Sequence, residues 1–108
     1  MKNKAKSEYS AMEQAMNLLG KRWSLQLIWE LRRDRLSFSD LSRRLEISPS
    51  VLTTRLAELV EAGICEVEEG GRGYRLTGRG RELARVLYEV NRWANATSSE
   101  PSASMLNS

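Results

Sequence analysis

The stretch FSDLSRRLEISPSVLTTRLAELVEAG, residues 38–63, decides the fold. It contains two short amphipathic segments separated by a few residues, each with its own start signal. Ser39 stands where a hydroxyl caps the first helix, running through Asp40 to Leu45, and Leu41 and Leu45 fall four apart on one side. Ile47 closes the turn. Ser48 followed by Pro49 is a helix start, because proline at the first helical position gives up an N–H that has no intrahelical partner anyway. The second helix continues to about Ala62, where Gly63 supplies a left-handed stop. Two short helices joined by a tight turn form a helix-turn-helix.

Downstream, the period changes from helical to alternating. Ile64-Cys65-Glu66-Val67-Glu68 and Tyr74-Arg75-Leu76 read as two strands joined by Glu69-Gly70-Gly71-Arg72-Gly73, a tip rich enough in glycine to adopt positive φ. Thr77 then caps a last helix with an apolar face of Leu83, Val86, Leu87, Val90, Trp93 and Ala94. Upstream, Tyr9, Met12, Met16 and Leu19 repeat at helical spacing and Gly20 ends that helix. Between Trp23 and Arg33 the apolar residues point in nearly every direction, which predicts a central helix surrounded by neighbours. A single short strand is expected at Leu36-Ser37-Phe38. The fold class is mainly α with a small β-hairpin, in the order α-α-(β)-α-α-β-β-α: a winged helix-turn-helix.

Composition sets the outer bounds. The chain has 108 residues, enough for one core; 41% are hydrophobic and 29% charged, as in ordinary globular proteins. Residues 1–7, with Lys2, Lys4 and Lys6, read as a disordered basic arm, residues 8–96 as the domain, and 97–108 as a disordered Ser-rich tail. The single Cys65 excludes an intramolecular disulfide, and with no histidine there is neither a Cys/His metal cluster nor a usual nucleophile–base pair. The chain is expected to be neither an enzyme nor a cofactor binder. No apolar run reaches membrane-spanning length and the N-terminus lacks a signal-peptide core, so a cytoplasmic protein is expected.

The second helix of the helix-turn-helix carries the functional reading. At about 100° per residue, Leu52, Leu56 and Leu59 share one side, while Ser50, Thr53, Thr54, Ala57 and Glu58 share the other. That outer side is slim and bears hydroxyls, suited to the major groove, which admits one α-helix. Ser50, Thr53 and Thr54 can meet base edges or phosphates; Arg55 flanks them, reaching a phosphate or pairing with Glu58 instead. Ser39 at a helix N-terminus suits a phosphate, Arg43 and Arg44 follow it, and Arg72 sits at the hairpin tip. With Ser48, these residues make up the expected DNA-contacting set.

Leu18-Leu19-Gly20-Lys21-Arg22-Trp23-Ser24, Phe38-Ser39-Asp40-Leu41, Ile47 through Leu56 and Tyr74 through Gly80 together resemble the HxlR family over about residues 9–94. The resemblance implies a homodimeric transcription regulator related in fold to MarR-type repressors, with dimer contacts from the first and last helices. On that basis Met12, Met16, Leu19, Leu83, Val86, Leu87, Val90 and Trp93 are expected at the interface. The expected partners are double-stranded DNA and a second copy of the chain. A small-molecule effector near Trp23 and Trp29 is a variant of the same reading, and a winged helix used for protein contact is the alternative. Three departures stand out. Ser10 and Ala11 replace the family's Cys-Pro pair, so thiol sensing does not carry over. The wing is reduced to Gly70-Gly71-Arg72-Gly73, without the family's paired prolines. Ser50 stands where many relatives carry arginine.

Overall fold

The computed structural model describes the backbone of residues 2–98 and the side chains of residues 10–96. Five helices and one hairpin follow in chain order: α1 (Lys2–Leu19), α2 (Ser24–Glu30), α3 (Phe38–Leu45), α4 (Pro49–Glu61), β1 (Cys65–Val67), β2 (Tyr74–Leu76) and α5 (Gly78–Ser98). The fold is the winged helix-turn-helix that the pattern predicts. Helix α1 reaches back to Lys2, through the segment read as an arm; of the C-terminal tail, residues 99–108 lie outside the described residues.

The core forms where α2, α3, α4 and the hairpin base bring their apolar sides together. Leu27, Ile28, Leu41, Leu52, Leu56 and Leu59 are almost wholly shielded from solvent, joined by Leu31, Leu36, Ile47, Ile64, Cys65 and Leu76. Each such leucine contributes about 1.5–3 kcal/mol through its removal from water, so the side of α4 facing inward is fixed. A half-turn rotation of that helix would expose three leucines at once.

Several local details differ from the sequence expectation. Ser37, not Ser39, caps α3. Its hydroxyl accepts the Asp40 N–H at 3.0 Å, and the Asp40 carboxylate accepts the Ser37 N–H at 3.3 Å in a reciprocal capping box. The Asp three residues on selects the earlier serine, since only Ser37 has an acidic residue at that spacing. The expected strand at Leu36-Ser37-Phe38 contracts to one bridge: Leu36 exchanges both backbone hydrogen bonds with Tyr74, at 3.0 and 2.8 Å. The central helix is shorter than Trp23–Arg33, because Trp23 adopts φ +83° just before it and Leu31 ends it. Nor is it apolar-buried all round, since Leu25 stays exposed.

The hairpin register pairs Cys65 with Leu76 and Val67 with Tyr74. A 3₁₀ turn at Glu69–Gly71 makes the tip, with Gly70 at φ +82° and Gly71 at φ +68°, conformations that a side chain would resist. Gly80 is needed for a different reason. A Cβ there would strike the Ile64 carbonyl, so only glycine lets the first turn of α5 rest on the α4–β1 junction. Thr77 fastens that contact: its hydroxyl reaches the Gly63 carbonyl at 2.5 Å and accepts the Gly80 N–H at 3.1 Å, while its own N–H bonds the Ile64 carbonyl at 3.0 Å.

Two substitutions test these backbone constraints by thermal or denaturant unfolding. Gly80→Ala is expected to cost about 2–3 kcal/mol, as overpacking against rigid backbone does. Glu46, a left-handed residue at φ +53° that ends α3, is expected to gain roughly 0.5–1 kcal/mol on replacement by glycine, which adopts that conformation without a Cβ penalty.

Candidate nucleic-acid interface

Helix α4 is built to show one side. Ser48 caps it, its hydroxyl accepting the Val51 N–H at 3.4 Å, and Pro49 fills the first turn. With Leu52, Leu56 and Leu59 buried, Ser50, Thr53, Thr54 and Ala57 are exposed on the outer side. The Thr54 hydroxyl donates to the Ser50 carbonyl at 3.1 Å, which leaves its oxygen able to accept a further hydrogen bond. Nothing bulkier than threonine projects from this stretch, so the helix is slim enough for a groove about 12 Å wide.

Arg55 takes the second of its two expected courses. Its Nε donates to the Arg22 carbonyl at 2.8 Å and its terminal nitrogen approaches Glu58 at 3.4 Å. Glu58 in turn receives Lys21 at 2.9 Å. Together they form a brace from the α1–α2 turn to the middle of α4. The Arg55–Glu58 pair is readable from its three-residue spacing, but Lys21 and Arg22 are not, because they lie more than thirty positions away. The Lys21 ammonium, then the nearby Arg55 guanidinium, hold the Glu58 carboxyl below the ordinary glutamate value.

The remaining expected residues lie on α3 and at the wing tip. Ser39 is exposed in the first turn of α3, where backbone N–H groups lack intrahelical partners. Arg43 is exposed and pairs with Asp40 at 2.9 Å; Arg44 pairs with Glu30 at 3.5 Å. Exposed pairs of this kind are worth about 0–1 kcal/mol and open readily to an outside anion. Arg72 stands exposed at the wing tip. Across the hairpin, Arg75 is held by Glu66 at 2.6 Å and Glu68 at 2.9 Å.

The stripe expected at a dimer interface divides in two. Leu19, Leu83 and Leu87 pack partly against the protein's own core, whereas Met12, Met16, Val86, Val90 and Trp93 are half or more exposed. Cys65 faces inward from β1, 2% exposed, and burial pushes its thiol up to about 12. Among the described residues no cluster of His, Cys, Asp and Glu could hold a metal ion, and no helix is long and apolar enough to cross a membrane.

A capped helix-turn-helix, its second helix tied to the α1–α2 turn and followed by a short hairpin, occupies the middle of this chain, and residues 18–102 match the model of the HxlR-like helix-turn-helix family. The chain belongs to that family. It is 32% identical over 88 residues to the HTH-type transcriptional regulator YvaP of Bacillus subtilis, a match spanning 76% of this chain and 82% of YvaP. Three mycobacterial HTH-type regulators are 30% identical over 93 residues, and the chain spans 59% of their length. In three dimensions it is similar to quinone-bound YodB of Bacillus subtilis, with a TM-score of 0.72 and 34% identity over 80% of this chain and 96% of YodB. A MarR-family regulator of Enterococcus faecalis superposes with a TM-score of 0.71 at 28% identity, over 83% of this chain and 87% of its own. This HxlR-like protein is thus a helix-turn-helix transcriptional regulator related to MarR-like repressors.

Two solution measurements probe the site's chemistry. Asp40, held low first by its hydrogen bond to Ser37, and Glu58, held low first by Lys21, both contribute stability when ionised. A depressed folded value means that this contribution is present above the unfolded value and is lost as pH falls through the folded one. Acid unfolding followed by circular dichroism should therefore begin below about pH 4.5 and be less steep in Glu58→Gln. Iodoacetamide at neutral pH should leave Cys65 unmodified in the folded protein and alkylate it on unfolding.

Proposed function

We propose that this regulator binds double-stranded DNA sequence-specifically as a homodimer, with α4 in the major groove and the short wing beside it. The observation that carries the reading is the outer side of α4. It is polar and slim, open to solvent, and tied to the α1–α2 turn by the Lys21–Glu58–Arg55 brace. Ser50, Thr53 and Thr54 offer hydroxyls to base edges or phosphates, and the threonine methyls suit a thymine methyl. Ser48 at the cap and Ser39 in the first turn of α3 present backbone N–H groups and hydroxyls to phosphates. Arg43, Arg44 and Arg72 supply charge, and Arg55 acts indirectly, through its tie from α4 to the Arg22 carbonyl. A winged helix used for protein contact would instead carry apolar residues on that side of α4.

The dimer reading rests on what the single chain leaves uncovered. Met12 and Met16 on α1 and Val86 and Val90 on α5 form apolar faces that are half or more exposed in one protomer. A compact domain of this length has a radius of gyration of about 13 Å; this one has 16.2 Å, because α1 and α5 project from the core. Pairing α1 and α5 with their copies about a twofold axis covers both faces and sets two α4 helices about 34 Å apart, one DNA turn. A second observation favours an effector-responsive variant. A largely apolar groove of about 350 Å³ lies between α2 and α5, lined by Leu25, Trp29, Leu87, Val90 and Ala94. Trp29 lines it; Trp23 does not.

Selection from random duplex DNA should enrich an inverted repeat, and affinity for it should fall steeply with salt. Thr53→Glu should abolish binding while leaving the unfolding temperature within a few degrees, because the site is exposed. Val86→Glu, 57% exposed in the protomer, should yield a monomer in sedimentation with at least tenfold weaker DNA binding. A Val86→Glu protein that remained dimeric would remove α5 from the interface, and an unselective pool would overturn the sequence-specific reading.

A further inference from the structure

Of the thirteen arginines of this protein, Arg22 at the α1–α2 turn, Arg72 at the wing tip and Arg79 at the start of α5 stand apart with no carboxylate within 4 Å among the described residues, and the other ten fall into two groups. Arg35, Arg43, Arg44, Arg55, Arg75 and Arg92 each pair with a carboxylate within 4 Å. Arg32, Arg33, Arg81 and Arg85 have no carboxylate partner among the described residues, and all four line one cleft of about 400 Å³ between the end of α2 and the start of α5. Ala84 and Tyr88 complete its wall. Glu30 and Asp34 border the neighbouring cleft; Glu30 is engaged by Arg44, while Asp34 accepts the Arg35 backbone N–H at 2.8 Å and keeps its charge. Four arginines beside this one carboxylate leave the cleft with an excess of positive charge and a raised local potential.

The cleft is also partly rigid. Arg32 lies over the Trp29 ring at 3.9 Å and donates to the Trp29 carbonyl at 2.8 Å. Arg81 donates to the Leu76 carbonyl at 3.2 Å. Trp29 stacks on Tyr88 with ring centroids 6.4 Å apart, joining α2 to α5 behind the charged rim. Two guanidinium groups are thus held in place by neutral partners, which leaves their charge and remaining donors for a ligand. Arg33 and Arg85 are exposed and can close on it.

We propose that this cleft is a binding site for a small organic polyanion, a molecule with two or more phosphate or carboxylate groups and a flat portion that lies on Tyr88. Planar guanidinium forks match such oxyanions in bidentate fashion, and the volume falls in the range of small-molecule sites, about 300–1,000 Å³. The site is separate from the apolar groove further along α5. It also sits where a ligand would matter. Arg32 and Arg33 begin the loop to Leu36, whose bridge to Tyr74 ties α3 to the wing, and Arg81 follows Thr77 at the hairpin exit. An anion drawing the two sides together would alter how wing and helix-turn-helix sit relative to α5; this regulatory consequence rests on the DNA-binding reading above, whereas the binding site does not.

The test uses the full chain and the intrinsic fluorescence of its three tryptophans, of which Trp29 borders the cleft, with inorganic pyrophosphate, citrate and benzene-1,3,5-tricarboxylate as probes and sodium chloride at matched ionic strength as the blank. The expected result is a saturable change with at least one polyanion, weakened about tenfold by each of Arg33→Gln and Arg85→Gln and unchanged by Arg92→Gln on the same helix. Because Arg33 and Arg85 are exposed and unpaired, both variants should unfold at the wild-type temperature. A response to salt alone, or equal binding by all variants, overturns the site. If Arg33→Gln and Arg85→Gln instead weaken DNA binding with a shallower salt dependence while polyanions fail to bind, the cluster belongs to the DNA footprint and the proposal is overturned. Polyanion binding by a protein that binds no DNA would uphold the site and sink only the reading of the whole chain.

Discussion

The architecture depends on one close backbone approach. The first turn of α5 rests on the Ile64 carbonyl, at a separation that only Gly80 permits, and Thr77 fastens it there by bonds to Gly63 and Ile64. The α4–β1 junction, the hairpin exit and the longest helix therefore meet at a single knot. The direction of α5 follows from it, and with that direction the placement of the exposed Val86 and Val90 and of the arginines at its start. The leucines of α4 supply more free energy, but they do not fix where α5 goes. Burial is non-directional, whereas a backbone contact guarded by hydrogen bonds is not.

Much of the fold was legible in the sequence because its signals were local. Ser48-Pro49, the leucine spacing of α4, Gly63 and the glycines of the wing tip each act within one or two turns of chain. The cap of α3 was read two residues late, since both Ser37 and Ser39 are good caps and only the partnership with Asp40 separates them. The start of α2 was misread for another reason. A tryptophan at φ +83° is held by its surroundings and not by its own preference, so no propensity announces it. The outer side of α4 was readable as geometry, but the brace beneath it only in part: Arg55 and Glu58 are three apart, whereas Lys21 and Arg22 join them only after folding. The arginine cleft lay equally beyond reach: in sequence its four members resemble the six that pair with acids.

The charge distribution gives this small protein three distinct kinds of arginine. Some link separate elements, as Arg55 joins α4 to the Arg22 carbonyl and Arg75 crosses the hairpin to Glu66 and Glu68. Others, such as Arg43 and Arg44, hold exposed carboxylates in pairs weak enough to be exchanged for an outside anion. A third kind, Arg32, Arg33, Arg81 and Arg85, has no acidic partner among the described residues and lines the cleft between α2 and α5. Net charge alone, +3, conceals all of this.

The inward-facing Cys65 also has a practical side. Since the only native thiol is shielded in the hairpin core and kept protonated by burial, a cysteine introduced at the wing tip in place of Arg72 becomes the one labelling handle in the folded chain. Spin labels attached there would report the spacing between the two wings of an assembly by dipolar spectroscopy, and so its geometry in the presence or absence of any ligand. The native residue need not be removed first.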